Sequence, residues 1–174
     1  MDLVRVTFDF KDMVLLDHLN KEAFPDDERV ELADLIAYSL ENGREMLAFY
    51  EVDTFIGFAV LMSSDDLVYM SFFAVQSELR GNGYGSRVLD AISSRYPHRS
   101  FCLEVERLDE DCVNRGERLA RWRFYERNNF TETGYLLEYG KLSFDILCRG
   151  PFKPASYERL LSSIATFRFQ VRRR

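Results

Sequence analysis

The chain has 174 residues, of which 47% are hydrophobic, and its 23 basic and 29 acidic side chains give a formal charge of −6. A chain of this size and composition can bury a core without metal or disulfide support, which excludes intrinsic disorder. Its longest uncharged stretches fall short of the roughly 20 apolar residues that span a bilayer, and its acidity disfavours nucleic acid as a partner. We therefore expect one domain over residues 1–174 that neither crosses a membrane nor binds DNA.

The first half of the chain predicts one strand, then two helices, then three strands. Val4, Val6 and Phe8 share one side of an opening strand. Two runs rich in β-formers meet at Asp53-Thr54 and predict a hairpin, and the largely apolar run after them is typical of a central strand. The predicted elements are strands over residues 3–8, 45–52, 55–62 and 67–75, and helices over residues 11–24 and 27–41.

A glycine-rich segment, Arg80-Gly81-Asn82-Gly83-Tyr84-Gly85-Ser86, follows this central strand and leads into a helix predicted over residues 86–96. A strand, a glycine-rich turn and a helix together favour an anion such as pyrophosphate, because backbone N–H groups and the helix dipole point at it. The alternative is a tight turn that binds nothing. A Walker loop would need a lysine after Gly85, and a dinucleotide fingerprint would need G-x-G-x-x-G, so both are excluded.

Charge is distributed unevenly along the chain. Residues 17–53 contain eleven acids and three bases, a local balance of −8, whereas five arginines lie between residues 115 and 127. Such runs are usually the solvated faces of helices. The other interpretation is a protein with one side that binds cations and one that binds anions.

Cysteine and histidine are too few for a metal site. Cys102, Cys112 and Cys148 form no C-x-x-C pair, and the two histidines are His18 and His98. We expect plain thiols in a reducing compartment, no metal, and, because the N-terminus has no signal-peptide pattern, a cytoplasmic location.

The spacing Arg80-x-x-Gly83-x-Gly85 resembles the Q/R-x-x-G-x-G/A signature of the GCN5-related N-acetyltransferases, the GNAT superfamily. Residues 100–106 contain the Leu-Glu-Val triplet frequent in the family's fifth strand. Residues 123–130, Arg-Phe-Tyr-Glu-Arg-Asn-Asn-Phe, are similar to its F/L-Y-E-x-x-G-F motif, with Asn129 in place of glycine. Residues 135–139 and 141–147 resemble its closing hairpin. The core motifs cover residues 67–130, and the resemblance extends over residues 45–147.

The resemblance implies an α/β GNAT fold, a mixed and mainly antiparallel sheet of about seven strands that splays between strands 4 and 5, with helices on both faces. It implies acetyl-CoA as the acyl donor, with its pyrophosphate on the loop amides and its pantetheine arm along the backbone of the central strand. Asn114 is a candidate for the cofactor-binding asparagine found after the fifth strand. The cofactor-binding residues are then Phe73, Val75, Arg80, Gly81, Asn82, Gly83, Tyr84, Gly85, Ser86 and Asn114.

Acetyl transfer to an amine needs a group that accepts a proton and one that returns a proton to the departing thiolate. The family places a catalytic tyrosine at the position of Tyr125. The alternative is that the Tyr125 ring only packs against its helix. Where the histone-acetylating branches carry a glutamate the chain has Tyr69, which excludes that position as the base. Glu104 is the base implied by the likeness to bacterial ribosomal-protein acetyltransferases, with a salt-bridged carboxylate or a water chain as alternatives.

The predicted function is therefore N-acetyl transfer to a primary amine of a small molecule or peptide. If the acidic helices face the acceptor, a cationic amine is favoured. The alternatives are a non-catalytic acyl-CoA sensor or interaction module and a nucleotide-binding regulator. Residues 154–169 predict a C-terminal helical extension that belongs to the core more often than to the surface of a homodimer. Residues 172–174, three arginines, are expected to be a frayed end.

Overall fold

The computed structural model describes residues 1–24, 26, 29–108, 114–163 and 168–174, which form eight β-strands and five α-helices. None of these helices is long and apolar enough to pass through a membrane. The strands are β1 (Asp2–Arg5), β2 (Arg44–Glu51), β3 (Thr54–Ser63), β4 (Leu67–Val75), β5 (Ser100–Glu106), β6 (Thr131–Tyr139), β7 (Leu142–Arg149) and β8 (Gln170–Arg173). The helices are α1 (Met13–Ala23), α2 (Leu32–Ser39), α3 (Tyr84–Arg95), α4 (Arg115–Arg127) and α5 (Pro154–Ser162).

The strands form one sheet in the order β1-β2-β3-β4-β5-β7-β6-β8. The β4–β5 pair is parallel, and its register runs from Leu67 opposite Ser100 to Tyr69 opposite Cys102. The pairs β1–β2, β2–β3, β5–β7, β6–β7 and β6–β8 are antiparallel. This confirms the predicted mixed, mainly antiparallel sheet and the central position of β4.

Residues 1–63 and 70–97 form the first of two compact units. In this unit α1 and α2 pack on β2 and β3. Leu16 of α1 and Ile36 of α2 join Met46, Phe58 and Val60 of the sheet in one buried cluster. Their period of two along each strand places these sheet residues on a single face.

Helix α3 packs on the other face of the same unit. Its apolar stripe, Val88, Leu89 and Ile92, is fully buried, and Arg95 at its end binds Glu45 of β2 with two hydrogen bonds of 2.8 Å. Glu45 alternates with Met46, so it points away from the cluster under α1 and α2. The C-terminal end of α3 is therefore bound to the sheet, and the glycine-rich segment lies at the opposite, N-terminal end of this helix.

Residues 64–69 and 98–174 form the second unit. Strand β7 is paired with β5 on one side and β6 on the other, and β8 adds to β6. Helix α5 is bound to the start of β4, because Asp66 accepts hydrogen bonds from Ser156 (2.9 Å) and Lys153 (3.1 Å). Tyr157 of this helix is fully buried.

Five sequence predictions differ from the structure. The terminal arginines are not a frayed end, because Arg172 pairs with Leu136 in the β6–β8 register and binds Glu138 at 2.7 Å. The sheet consequently has eight strands instead of about seven. The opening strand ends at residue 5, and the second helix begins only at residue 32. Helix α5 ends at residue 162, and the remainder of the predicted extension includes residues 164–167, which lie outside the described residues.

Candidate active site

The glycine-rich segment places a row of backbone amides at the start of α3. Gly83 is the N-cap residue and, like Gly81, has a φ of +80°, which glycine adopts without strain. No side chain caps the helix, and in the described structure the N–H groups of residues 81–86 donate no hydrogen bond to protein. A Cβ added at either glycine would meet no atom within 4 Å. The segment is therefore free to receive an anion.

Arg80 and Asn82 shape this segment. The Arg80 Nε donates a 3.0 Å hydrogen bond to the Val75 carbonyl, and its guanidinium lies 3.9 Å from Glu22. Asn82 donates to the carbonyl oxygens of Leu79 and Arg80 at 3.3 Å. Both side chains thus bind the turn itself, while half of the Arg80 side chain stays exposed.

The end of β4 lies very close to β3. A Cβ at Gly57 would be 2.1 Å from the Ala74 carbonyl oxygen, so only glycine fits there. The backbone N–H of Gln76 donates to the Ile56 carbonyl at 3.0 Å. Phe73 and Val75, the predicted partners of the pantetheine arm, belong to this part of β4, and the Val75 carbonyl already accepts a hydrogen bond from Arg80.

Strand β5 has an edge without a partner strand among the described residues. Its register with β7 covers residues 101–106, but its register with β4 ends at Cys102. Residues 103–106 therefore have backbone groups on one side that an extended ligand can pair with.

Glu104 lies on this segment of β5 and is mostly buried. Its Oε2 accepts a 2.9 Å hydrogen bond from the hydroxyl of Tyr69, and its Oε1 accepts one from the hydroxyl of Tyr157. Burial raises the pKa of Glu104 to about 7, although both hydroxyl groups act to lower it. A carboxyl group with this pKa can gain or lose a proton at neutral pH.

Tyr125 projects from α4 into an aromatic cluster. Its ring centroid lies 5.6 Å from that of Phe130, which in turn lies 5.1 Å from Phe101 of β5. Burial raises the pKa of Tyr125 to about 12, against a smaller opposite effect of Arg121. Its hydroxyl has no hydrogen-bond partner within the described ranges. Because side chains alternate along β5, the Phe101 face that leads to Tyr125 is opposite the face of Glu104.

Asn114 is exposed at the start of α4, and its side-chain oxygen accepts a 2.7 Å hydrogen bond from Arg118. Arg118 and Arg121 both bind Glu106 at 2.9 Å. The basic face of α4 is thus partly neutralised by the last residue of β5.

Cys102 and Cys148 are free and buried, and their sulfur atoms are 2.8 Å apart across the β5–β7 pair. Cys112 lies outside the described residues. Among the residues described, no group of three or more His, Cys, Asp or Glu side chains could hold a metal ion.

The sequence does not predict that two tyrosines bind Glu104. The one sequence feature of Tyr69 is that it replaces a glutamate found elsewhere in the family. Tyr157 was expected in the core from its helical spacing, but spacing gives no partner. A tyrosine with a hydroxyl to satisfy inside an apolar stripe was the one available signal.

The sequence profile of the acetyltransferase (GNAT) family matches residues 13–130. The chain therefore belongs to the GNAT family of acetyltransferases, as the motifs had indicated.

Solved structures share its fold. A protein from Bacteroides thetaiotaomicron assigned to the GNAT family is 25% identical, with a TM-score of 0.74 over 94% of this chain and 97% of that one. An aminoglycoside 6'-N-acetyltransferase complexed with coenzyme A is 17% identical, with a TM-score of 0.64 over 88% and 99%. An acetyl-CoA-bound family member from Elizabethkingia anophelis is 12% identical, with a TM-score of 0.58 over 86% and 97%. No curated protein matches the chain.

Proposed function

We propose that this acetyltransferase moves the acetyl group of acetyl-CoA directly to a primary amine of a small molecule or peptide. The observation that carries the proposal is Glu104, a mostly buried carboxyl group with a pKa of about 7 beside the unpaired edge of β5. General bases are most effective when their pKa lies near the working pH. An amine must lose a proton as it attacks, and Glu104 can accept that proton.

The donor would be held by the residues that the motifs predict. The unengaged amides of residues 81–86 and the dipole of α3 support binding of the pyrophosphate. The backbone of Phe73 and Val75 remains the candidate for the pantetheine arm, although Arg80 competes for the Val75 carbonyl. Asn114 is a weaker candidate, because Arg118 already occupies its side-chain oxygen.

The proposed transfer step uses two protein groups, one that accepts a proton and one that donates a proton. The amine nitrogen bonds to the acetyl carbon, the carbon–sulfur bond breaks, and the electron pair leaves on sulfur. Glu104 takes the proton of the amine and later releases it to solvent, and Tyr125 gives its proton to the thiolate and regains one from solvent. Tyr125 is protonated throughout the neutral range, so a proton is present for the departing thiolate. Direct attack of this kind needs no metal.

A cationic acceptor is favoured by the local balance of −8 over residues 17–53, since a field of one sign concentrates ligands of the other. The free thiols of Cys102 and Cys148 support a reducing location such as the cytoplasm.

The test is release of free CoA from acetyl-CoA in the presence of an amine panel, containing a polyamine, an aminoglycoside, a lysine peptide and a peptide with a free N-terminus. Transfer should occur to at least one amine and fall by about 10² or more in Glu104→Gln. A folded protein that releases no CoA with any amine would contradict the proposal.

Binding measurements separate the rival classes. A ligand at 100 times its Kd adds about 2.7 kcal/mol of stability, so thermal shifts with CoA, NAD and ATP can be compared directly. Stabilisation by CoA without turnover would identify an acyl-CoA sensor, and stabilisation by NAD or ATP alone a nucleotide-binding regulator.

A further inference from the structure

Two phenols from different elements hold the Glu104 carboxylate. Tyr69 of β4 donates to one carboxylate oxygen at 2.9 Å, and Tyr157 of α5 donates to the other. The two tyrosine rings also pack edge to face, with centroids 5.8 Å apart and planes at 88°. Each ring therefore supports the other, and together they fix both oxygens of Glu104.

Tyr157 is fixed by burial and by contacts of its ring and its helix. It is fully buried, and its ring contacts Phe152 with centroids 5.6 Å apart. The first turn of α5 is bound to Asp66, three residues before Tyr69, by Ser156 and Lys153. Helix α5 lies outside the residues 13–130 that match the family profile, so it contributes to Glu104 from beyond the shared core.

The groups that face Glu104 come from each element packed against it. They are Tyr69 from β4, Tyr157 from α5 and the buried thiol of Cys102 from β5, while Ile146 lies opposite Glu104 on β7 and Cys148 contacts Cys102. Further along β5, Glu106 is paired with Arg118 and Arg121. In the described structure no basic side chain contacts the Glu104 carboxylate, so hydroxyl donors alone stabilise its charge.

We propose that Tyr69 and Tyr157 are positioning residues for the transfer reaction: they orient the Glu104 carboxylate and stabilise its ionised form, so that it can accept the proton of the amine. This inference rests on the proposed role of Glu104 as the base. Tyr157 keeps its own proton, because burial raises its pKa well above its ordinary value. Without these donors a desolvated carboxyl group would stay protonated at neutral pH and could accept nothing.

The test compares Tyr69→Phe and Tyr157→Phe by a 13C NMR titration of the Glu104 side-chain carboxyl group, assigned with Glu104→Gln. Each substitution keeps the ring and removes one donor to a charged group, so the midpoint should rise by about one pH unit. Tyr96→Phe is the matched control. It removes a tyrosine donor from the Glu45 carboxylate, and should leave the Glu104 midpoint unchanged.

The two tyrosines lie in different elements, so one variant decides the question if the other fails to fold. An unchanged midpoint in a folded Tyr69→Phe or Tyr157→Phe protein overturns the inference. So does an equal shift in Tyr96→Phe, because the effect would then be general.

A second readout is the pH profile of kcat/KM with acetyl-CoA and an amine found in the panel. Activity requires ionised Glu104, so a raised pKa moves the acid limb to higher pH by the shift seen in the titration. The loss should be about tenfold well below the limb and small above it. A uniform loss with an unmoved limb would overturn the positioning role. Full activity in Glu104→Gln would instead contradict the proposed function while leaving the titration result intact.

Discussion

Tyr125 is protonated at neutral pH, so it can serve there only as a proton donor. Tyr125 has a pKa raised to about 12 and a hydroxyl without a partner in the described structure, so its proton remains available at any physiological pH.

We expect Tyr125→Phe to lower kcat by roughly 10² to 10⁴, because only proton donation is lost. The KM for acetyl-CoA should change little, since the ring contacts with Phe124 and Phe130 are preserved. Steady-state kinetics of Tyr125→Phe beside Tyr125→Leu separates chemistry from packing. Equal activity of the Phe variant and the parent would reduce Tyr125 to a packing residue.

Gly83 should control binding of the donor. In Gly83→Val a side chain enters the space in front of the α3 amides, so CoA affinity should fall at least tenfold, measured by calorimetry. The left-handed φ of +80° costs about 1–2 kcal/mol for any residue with a Cβ. Gly134→Val is the matched control, because its φ is +76° and its Cβ also meets no atom within 4 Å. Equal CoA affinity in the two variants would contradict the assignment of the loop.

At the residue scale the sequence predicted part of the site. The loop could be predicted because glycine spacing reports a backbone conformation directly. Alternation along β5 correctly placed Glu104 away from the Phe101 face. The Glu104–Tyr157 contact joins residues 53 positions apart, and such a partner depends on how α5 packs, which no local pattern encodes.

At the element scale, two ion pairs bind α3 to β2, Arg87 with Glu51 and the less exposed Arg95 with Glu45. Glu45 accepts two hydrogen bonds from Arg95 and one from Tyr96. Burial alone would raise the pKa of Glu45, but these donors lower it overall. Its contribution to stability is therefore present above the ordinary value of 4.5 and lost as the pH falls through the lowered folded value.

We expect Glu45→Gln to lower the free energy of unfolding by about 2 kcal/mol at pH 7, because the charged acceptor is lost. The difference from the parent should shrink progressively as the pH falls from 4.5 through the lowered folded pKa of Glu45, where the parent also loses the charge. Urea unfolding over a pH series measures this. Asp17→Asn is the control, since Asp17 forms an exposed pair with Lys21 and its loss should cost no more than about 0.5 kcal/mol. Equal effects of the two variants would contradict the anchoring role.

The sequence predicted elements well where periodicity is strong and poorly where tertiary contacts decide. Strands β2 to β5 were placed to within one residue at each end, because buried strands are continuous apolar runs. Strand β8 contains Gln170, Val171 and two arginines, a composition that indicates a solvated end. It becomes a strand because β6 offers a free edge and because Glu138 binds Arg172.

At the scale of the whole molecule, charge is concentrated in the first unit. Residues 17–53 carry −8 of a total of −6, so the remaining residues carry +2. Many of these acids are already paired, including Asp17 with Lys21, Asp26 with Arg29 and Glu41 with Arg44. Glu31 and Asp34, exposed at the start of α2, have no ion pair within the described ranges. Their removal therefore changes the field without breaking an ion pair.

The negative field near α2 should favour a cationic acceptor over a neutral one. The double variant Glu31→Gln with Asp34→Asn should lower kcat/KM for a cationic amine by roughly threefold at low salt and leave a neutral isostere unchanged. The difference should fade as salt shortens the screening length to about 8 Å at physiological ionic strength. Glu117→Gln with Glu126→Gln makes the same change in net charge on α4, where the surface is basic, and should have a smaller effect. Parallel salt series for the four combinations of variant and acceptor provide the measurement. Identical salt slopes for the cationic and neutral acceptors would mean that the acids serve solubility alone, and equal losses in the two double variants would mean that net charge, rather than its location near α2, governs the encounter.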